Sequence, residues 1–258
     1  MKIHKKPLVS IIMNCHNGAD YISRSVKSIL KQSYNNWELI FWDNSSTDVS
    51  KKTLKKFKDK RIKYYFSKKF NSLYKSRNLA IKKAKGKYIC FLDVDDQWLK
   101  KKIEKQVKLI EQLNCQFIYS NFSVNNSSKK KKTKIRKKYL PEGKITQALL
   151  NDYFLGILTV MMKRDLFNKY KFNNKYNVIG DFDLFIRLSI KYKFYCTQEP
   201  LAIYNVHGSN YSVKNLKNYI CELKRWFKEN KIELLSDYNL IKFRVYILKL
   251  IIKNYFVY

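Results

Sequence analysis

Over the first 120 residues, short apolar, β-rich runs alternate with amphipathic helical stretches, and that alternation limits the fold more than any other feature. Strands are predicted at 8–13, 37–42, 61–66, 87–92 and 116–119. Between them lie helical patterns at 19–32, around Leu54 and Phe57, at 76–85 and at 99–113. Ile22, Val26, Ile29 and Leu30 share one helical face, as do Ile103, Val107 and Ile110. Gly86 is placed as the residue that closes the third helix. This order predicts an α/β fold, Rossmann-like, with a mostly parallel central sheet flanked by helices on both faces. Ligands of such sheets bind beyond the carboxyl ends of the strands. Those ends carry Asn14-Cys15-His16-Asn17, Asp43-Asn44-Ser45-Ser46-Thr47-Asp48 and Asp93-Val94-Asp95-Asp96, so three polar clusters are expected on one edge.

The last cluster holds three carboxylates within four residues, directly after an apolar strand. Such charges repel unless a cation or donor neutralises them. Oxygen-only ligands suit Mg²⁺ or Mn²⁺, which in turn bind phosphate oxygens. The alternative is that Asp96 caps the helix at 99–113, which leaves Asp93 and Asp95 without a purpose.

The alternation stops near Phe122. Residues 123–138 are polar and Lys-rich, and are expected to form a mobile loop or lid. A helix is predicted at 145–154 and a strand at 156–162. Asp181 and Asp183 open a helix at 178–192. Two short strands at 194–197 and 201–206 lead to His207-Gly208-Ser209-Asn210. From 213 to 258 the pattern is helical, apolar and basic, ending in a Lys- and aromatic-rich stretch from 246. That stretch fits either a core-packing helix or an interfacial helix on an anionic leaflet.

Lys and Arg number 54 against 20 Asp and Glu, a formal net charge of +34. Forty-six of the cations are Lys, and Asn, Ile, Tyr and Phe, which share A/T-rich codons with Lys, are also frequent, so compositional drift accounts for part of the excess. An anionic membrane surface is the second reading. Nucleic acid comes last, because its readers favour Arg and no zinc-finger or RNP1-like spacing is present. Five Cys form no C-x-x-C pair, and Cys15 and Cys90 lie in apolar runs, as buried thiols in a reducing compartment do. No secretory leader opens the chain and no apolar run approaches the roughly 18 residues of a spanning helix. A cytoplasmic location follows, with peripheral attachment to the inner face of the plasma membrane as the extension of the charge argument.

Seven linked segments recur, in this order, in a known family. They are Val9-Ser10-Ile11-Ile12-Met13 with Asn17-Gly18, Ser28 to Tyr34, Trp37-Glu38-Leu39-Ile40, Asp43 to Asp48, Ser76-Arg77-Asn78, Ala84 to Ile89, and Phe91 to Trp98. From about Pro7 to Tyr119 the chain resembles inverting family 2 glycosyltransferases of the GT-A fold. The resemblance implies a GT-A catalytic domain over 1–212, with a nucleotide-sugar half at about 7–122 and an acceptor half at about 140–212, then a C-terminal helical segment at 213–258. It implies that Asn14, His16, Asn17, Asp43, Asn44, Arg77 and Asp93 lie near the donor. Asp95, with Asp93, would ligate Mn²⁺ or Mg²⁺. Gly180-Asp181-Phe182-Asp183-Leu184 is similar to the family's E-D-x-D-L segment, which gives Asp181 the role of general base. His207 matches a His found near the metal in some members.

Two departures stand out. Asn44 replaces a common Asp, and Gly180 replaces the usual Glu. The implied function is transfer of a sugar from a nucleotide-diphosphate donor, UDP in the first place, to a saccharide or lipid-linked acceptor in surface-polysaccharide synthesis. A nucleotidyltransferase would carry a Gly-rich basic loop after the first strand, which 14–20 lacks. A non-catalytic or degenerate basic module for polyanions would not need acids at three strand ends.

Overall fold

The structure, a computed structural model, describes residues 6–126, 134–208, 210, 214–231 and 233–255. In chain order its strands are β1 (Val9–Cys15), β2 (Trp37–Asp43), β3 (Ile62–Phe66), β4 (Tyr88–Phe91), β5 (Gln97–Trp98), β6 (Phe117–Asn126), β7 (Lys134–Ile135), β8 (Met161–Lys163) and β9 (Tyr195–Val206). The helices are α1 (Ala19–Leu30), α2 (Ser50–Leu54), α3 (Leu73–Ile81), α4 (Lys102–Gln112), α5 (Thr146–Asn151), α6 (Leu166–Lys169), α7 (Gly180–Lys191), α8 (Leu216–Asn230) and α9 (Ile241–Tyr255).

The sheet runs β3-β2-β1-β4-β8-β6-β9-β5, with β7 paired to β6. Pairs β3·β2, β2·β1 and β1·β4 are parallel. β8 then enters antiparallel between β4 and β6, so the second half of the sheet is mixed. Every residue of β1, β2 and β4 is buried, as strands covered on both faces require. Val9, Ile11, Met13, Leu39 and Phe41 meet α1 and α4 on one face. Ile12, Ile40, Ile89 and Phe91 meet α3, α7 and the C-terminal helices on the other. Each such aliphatic side chain contributes about 2 kcal/mol of transfer free energy.

The structure corrects several expectations. β6 continues to Asn126 and pairs with Lys134–Ile135, so the described parts of 123–138 form a hairpin rather than a loop. The two strands predicted at 194–206 are one, β9, which absorbs Glu199-Pro200 in register shifts opposite Ser120, Asn121 and Phe122. The expected strand at 156–162 is a 3₁₀ turn, Ile157–Thr159, followed by β8. Helix α3 ends at Ile81, so Gly86 does not close it. A Cβ on Gly86 would lie 2.6 Å from the Ser10 nitrogen, and glycine is there for the close approach of two backbones. Asp96 does not cap α4, whose first residue is Lys102. It is buried beneath β9, where Oδ1 accepts the Asn205 N–H at 2.9 Å. Cys15 and Cys90 are free, buried thiols as expected.

Candidate active site

The carboxyl ends of β1, β2 and β4 open onto a cleft of about 1050 Å³. Asn14, His16, Asn17, Asn44, Arg77, Asp93, Asp95, Asp181 and His207 all line it. The exception among the expected residues is Asp43. It is 1% exposed, and its oxygens accept the Ser46 N–H at 2.9 Å and the Tyr64 hydroxyl at 2.8 Å. Asp43 therefore braces the loop after β2 from within and does not reach the cleft.

The loops after β1 and β2 are tied together. Asn17 adopts a left-handed backbone, φ 51°, and its Oδ1 accepts the N–H of Thr47 at 2.8 Å and of Asp48 at 3.3 Å. Asn44 explains its own departure from Asp. Its Nδ2 donates to the Asn71 carbonyl at 2.8 Å while its Oδ1 accepts the Asn71 N–H at 3.1 Å. An Asp could accept that N–H but would be repelled by the carbonyl. The buried Asn14 amide has no partner for either polar atom, an arrangement that points to a ligand in the cleft. His16 is exposed, turns Nδ1 to the Asn44 carbonyl at 3.0 Å and packs edge-on against Phe70 at 4.6 Å.

Arg77 is 3% exposed and sits over the Tyr74 ring at 5.2 Å. One of its terminal nitrogens bonds both Asp93 oxygens, at 2.7 and 2.9 Å. Asp95 is engaged differently. The β5·β9 ladder carries Asn205, His207 and Asn210 across the 93–96 loop. His207 Nε2 and Asn210 Nδ2 each lie 3.1 Å from Asp95 Oδ2, while the Asp95 carbonyl accepts from Asn205 at 2.8 Å. His207 stacks on Tyr21 at 4.7 Å. Burial and the charge of Asp93 push the Asp95 carboxyl up, opposed by the bond from His207.

The Asp95 carboxylate oxygen suits Mn²⁺ or Mg²⁺, and the imidazole nitrogen beside it favours Mn²⁺ of the two. Among the described residues no three His, Cys, Asp or Glu converge on one metal position. Asp93 is turned to Arg77. The residues therefore fit an ion that arrives with other oxygen ligands, such as those of a diphosphate, better than a resident metal.

Asp181 lies in the first turn of α7 and faces the cleft. Tyr74 places its hydroxyl 2.9 Å from Oδ1, and Tyr153 places its own 3.4 Å from Oδ2. Removal from water raises the carboxyl pKa, opposed by the Arg77 charge and the Tyr74 bond. Asp183 is not a second base. It is buried, takes both Arg187 (2.7 Å) and the Trp226 indole N–H (3.0 Å), and anchors α7 to α8. Glu222, also from α8, accepts the N–H groups of Asn177, Val178 and Ile179 at 2.7, 2.9 and 3.1 Å, which fixes the approach to α7. Tyr74, Tyr153, Asn210 and Glu222 carried no signal in sequence, since each acts through a partner distant along the chain.

The model of Glycosyl transferase family 2 matches residues 10–189. The chain is 38% identical over 166 residues to the Escherichia coli UDP-Glc:alpha-D-GlcNAc-diphosphoundecaprenol beta-1,3-glucosyltransferase WfgD, a match that spans 64% of each chain. It is 32% identical over 235 residues to the putative teichuronic acid biosynthesis glycosyltransferase TuaG of Bacillus subtilis, covering 89% of this chain and 90% of that one. Among solved structures it is similar to S. aureus TarS 1-349 in complex with UDP-GlcNAc, with TM-score 0.69, 15% identity, 87% of this chain and 66% of that one. The mannosyltransferase PcManGT of Pyrobaculum calidifontis, in complex with GDP-Man and Mn²⁺, gives TM-score 0.64 and 13% identity over 88% of this chain and 65% of that one. At that identity the structural likeness speaks to the fold, which these transferases share with the mixed α/β sheet described above.

Proposed function

The chain belongs to glycosyl transferase family 2, and on that premise we propose that it moves a sugar from a UDP-linked donor to a lipid-linked saccharide, with inversion at the anomeric carbon. The observation that carries this reading is a single cleft holding the Asp95–His207 pair, the buried Arg77 and the hydroxyl-flanked Asp181. Asn14 would bond the nucleoside, and His16 with Phe70 would offer rings for the base to stack on. Arg77, held by Asp93, would meet phosphate oxygens. Asp95 and His207 would hold Mn²⁺ or Mg²⁺ against the diphosphate. When bound, that ion supplies neutralisation of the leaving group's charge. Asp181 takes the proton from the acceptor hydroxyl as that oxygen bonds to the anomeric carbon. The bond from that carbon to the diphosphate oxygen breaks, and UDP departs from the opposite side. Asn17, Asn44 and Asp43 shape the loops from outside the reaction. Since Asn44 has its own bonded partner and Gly180 faces Tyr74, the two departures from the family pattern do not argue for a degenerate enzyme.

The acceptor side includes α9. Ile241, Val245, Leu248, Ile252 and Tyr255 recur at spacings of three and four, so they form one stripe, and they are 42–81% exposed. Lys242, Lys249 and Lys253 flank it, and Tyr246 and Lys253 line the cleft. Among the described residues no helix is long and apolar enough to cross a membrane. A stripe of this kind suits peripheral attachment to an anionic bilayer, on the cytoplasmic face of the plasma membrane, which would bring a lipid-diphosphate acceptor to the cleft. With a net charge of +34, lipid is preferred over nucleic acid because the apolar stripe has a use at a lipid surface and none on nucleic acid.

Calorimetry with UDP, GDP and CDP, with and without Mn²⁺, tests the donor site. UDP is expected to bind only with Mn²⁺, and Asp95→Asn to weaken it by about 10- to 100-fold. Equal binding without metal or in the variant contradicts the assignment. Flotation with phosphatidylglycerol vesicles tests α9. Recovery with the vesicles in low salt is expected, and Leu248→Glu with Ile252→Glu should abolish it; a wild-type protein that stays at the bottom of the gradient refutes the attachment.

A further inference from the structure

Tyr74 and Gly180 form a matched pair. The Tyr74 ring is 2% exposed and lies directly over Gly180, where an added Cβ would come within 2.5 Å of ring carbons. A side chain at 180 and this ring exclude each other. The chain has none at 180 and, at 74, a long one ending in a hydroxyl. That hydroxyl has one proton and two acceptors within reach, the Val178 carbonyl at 2.8 Å and Asp181 Oδ1 at 2.9 Å.

We propose that Tyr74 is a positioning residue that serves Asp181 in both of its protonation states. While Asp181 is ionised, the Tyr74 hydroxyl donates to Oδ1. Once Asp181 has taken the acceptor's proton, its own O–H donates to the Tyr74 oxygen, and the Tyr74 hydrogen turns to the Val178 carbonyl. No bond to the tyrosine breaks. The only proton transferred goes from acceptor hydroxyl to carboxylate, and from there to solvent after the product leaves. The carboxyl therefore keeps its place through the cycle. This inference rests on the reading of Asp181 as general base. The charged and titratable groups facing Asp181 are Tyr74 and Arg77 from α3, Tyr153 from the segment after α5 and Tyr219 from α8.

Tyr74→Phe keeps the ring over Gly180 and removes only the hydroxyl. The titration of Asp181 is followed by carboxyl ¹³C NMR of protein labelled at aspartate, with the signal assigned by its loss in Asp181→Asn. Both forms lose a bond, but the one to the charged carboxylate is the stronger, so removal of the hydroxyl should raise the midpoint by about half a pH unit or more. Thermal stability should fall modestly, because the Val178 carbonyl loses its donor, while Mn²⁺–UDP binding should match wild type. Tyr153→Phe, with its hydroxyl at 3.4 Å, should move the midpoint less. An unmoved midpoint in Tyr74→Phe overturns the proposal, and so does an equal shift in both variants. Turnover is measured as UDP release from UDP-glucose with a synthetic GlcNAc-diphosphate-alkyl acceptor. There Tyr74→Phe should lower the rate about tenfold and move the acid limb upward with the NMR midpoint. Undiminished turnover by Asp181→Asn would instead overturn the base reading, while the NMR comparison would still decide whether Tyr74 holds the carboxyl.

Discussion

Asp95 and Asp181 face the same cleft, but the chain reaches them by different routes. Asp95 stands four residues after a fully buried parallel strand, and neighbouring strand ends place Asn14 and Asn44 beside it. Asp181 opens a helix whose preceding loop is held from α8, more than 40 residues further on, by a single carboxylate. The first region is built by sheet register, where a one-residue slip would exchange the side chains of the two covered faces and misplace the polar strand ends. The second is built by a few bonds between helices. The donor side should therefore keep its shape through single substitutions in its loops, whatever they do to ligand contacts, while the acceptor side should lose its shape with one remote residue.

The largest expected effect follows from that contrast. Glu222→Ala removes the acceptor of three backbone N–H groups in a buried setting. Unsatisfied donors cost about 1–3 kcal/mol each, and relaxation of the loop offsets part of this, so a loss of about 3 kcal/mol is expected in urea unfolding. Below the unfolding midpoint, Mn²⁺–UDP affinity should survive while turnover falls, because α7 moves and β4 does not. Loss of nucleotide affinity in parallel with turnover would show that the two regions are one mechanical unit and erase the contrast.

The same contrast governs what could be read in advance. Strands β1 to β4 announce themselves because burial on both faces leaves unbroken apolar runs, and their polar ends then fall on one edge. Asp93, Asp95 and Asn14 were legible for that reason. Asp43 belongs to the same cluster yet is spent on Ser46 and Tyr64, since which member of a polar loop faces inward depends on backbone turns that pattern does not encode. In the second half the local pattern runs out sooner. Nothing near Pro200 reveals that β9 continues through it, and only the β5·β9 ladder brings His207 to Asp95. Glu222, Tyr74 and Tyr153 look like ordinary helix and loop residues until the chain is folded. In the C-terminal helix, Phe243 and Ile247 are buried in the core that α7 and α8 share, while the opposite stripe is exposed.

The donor region has one flaw of its own, and it yields the smaller, sharper test. Lys102 opens α4 beside the apolar Ile103, is fully buried, and has only Gln106 at 2.6 Å, the Trp98 ring at 4.1 Å and the Cys90 thiol around its charge. Burial lowers its pKa from 10.5 to about 8. The sign follows from proton counts. Between pH 8 and 10.5 the unfolded chain holds a proton that the folded chain has released, so stability from this group rises with pH across that window. Below pH 8 the group is charged in both states and the full burial cost stands. Lys102→Met removes the dependence, whatever its effect on packing around Gln106. Its stability relative to wild type should therefore be about 2 kcal/mol more favourable at pH 7 than at pH 10, measured by urea unfolding of both proteins at each pH. A difference that does not change with pH would mean that Lys102 keeps its charge at normal strength at the start of α4, and that the donor region carries a buried cation at no cost to the register that builds it.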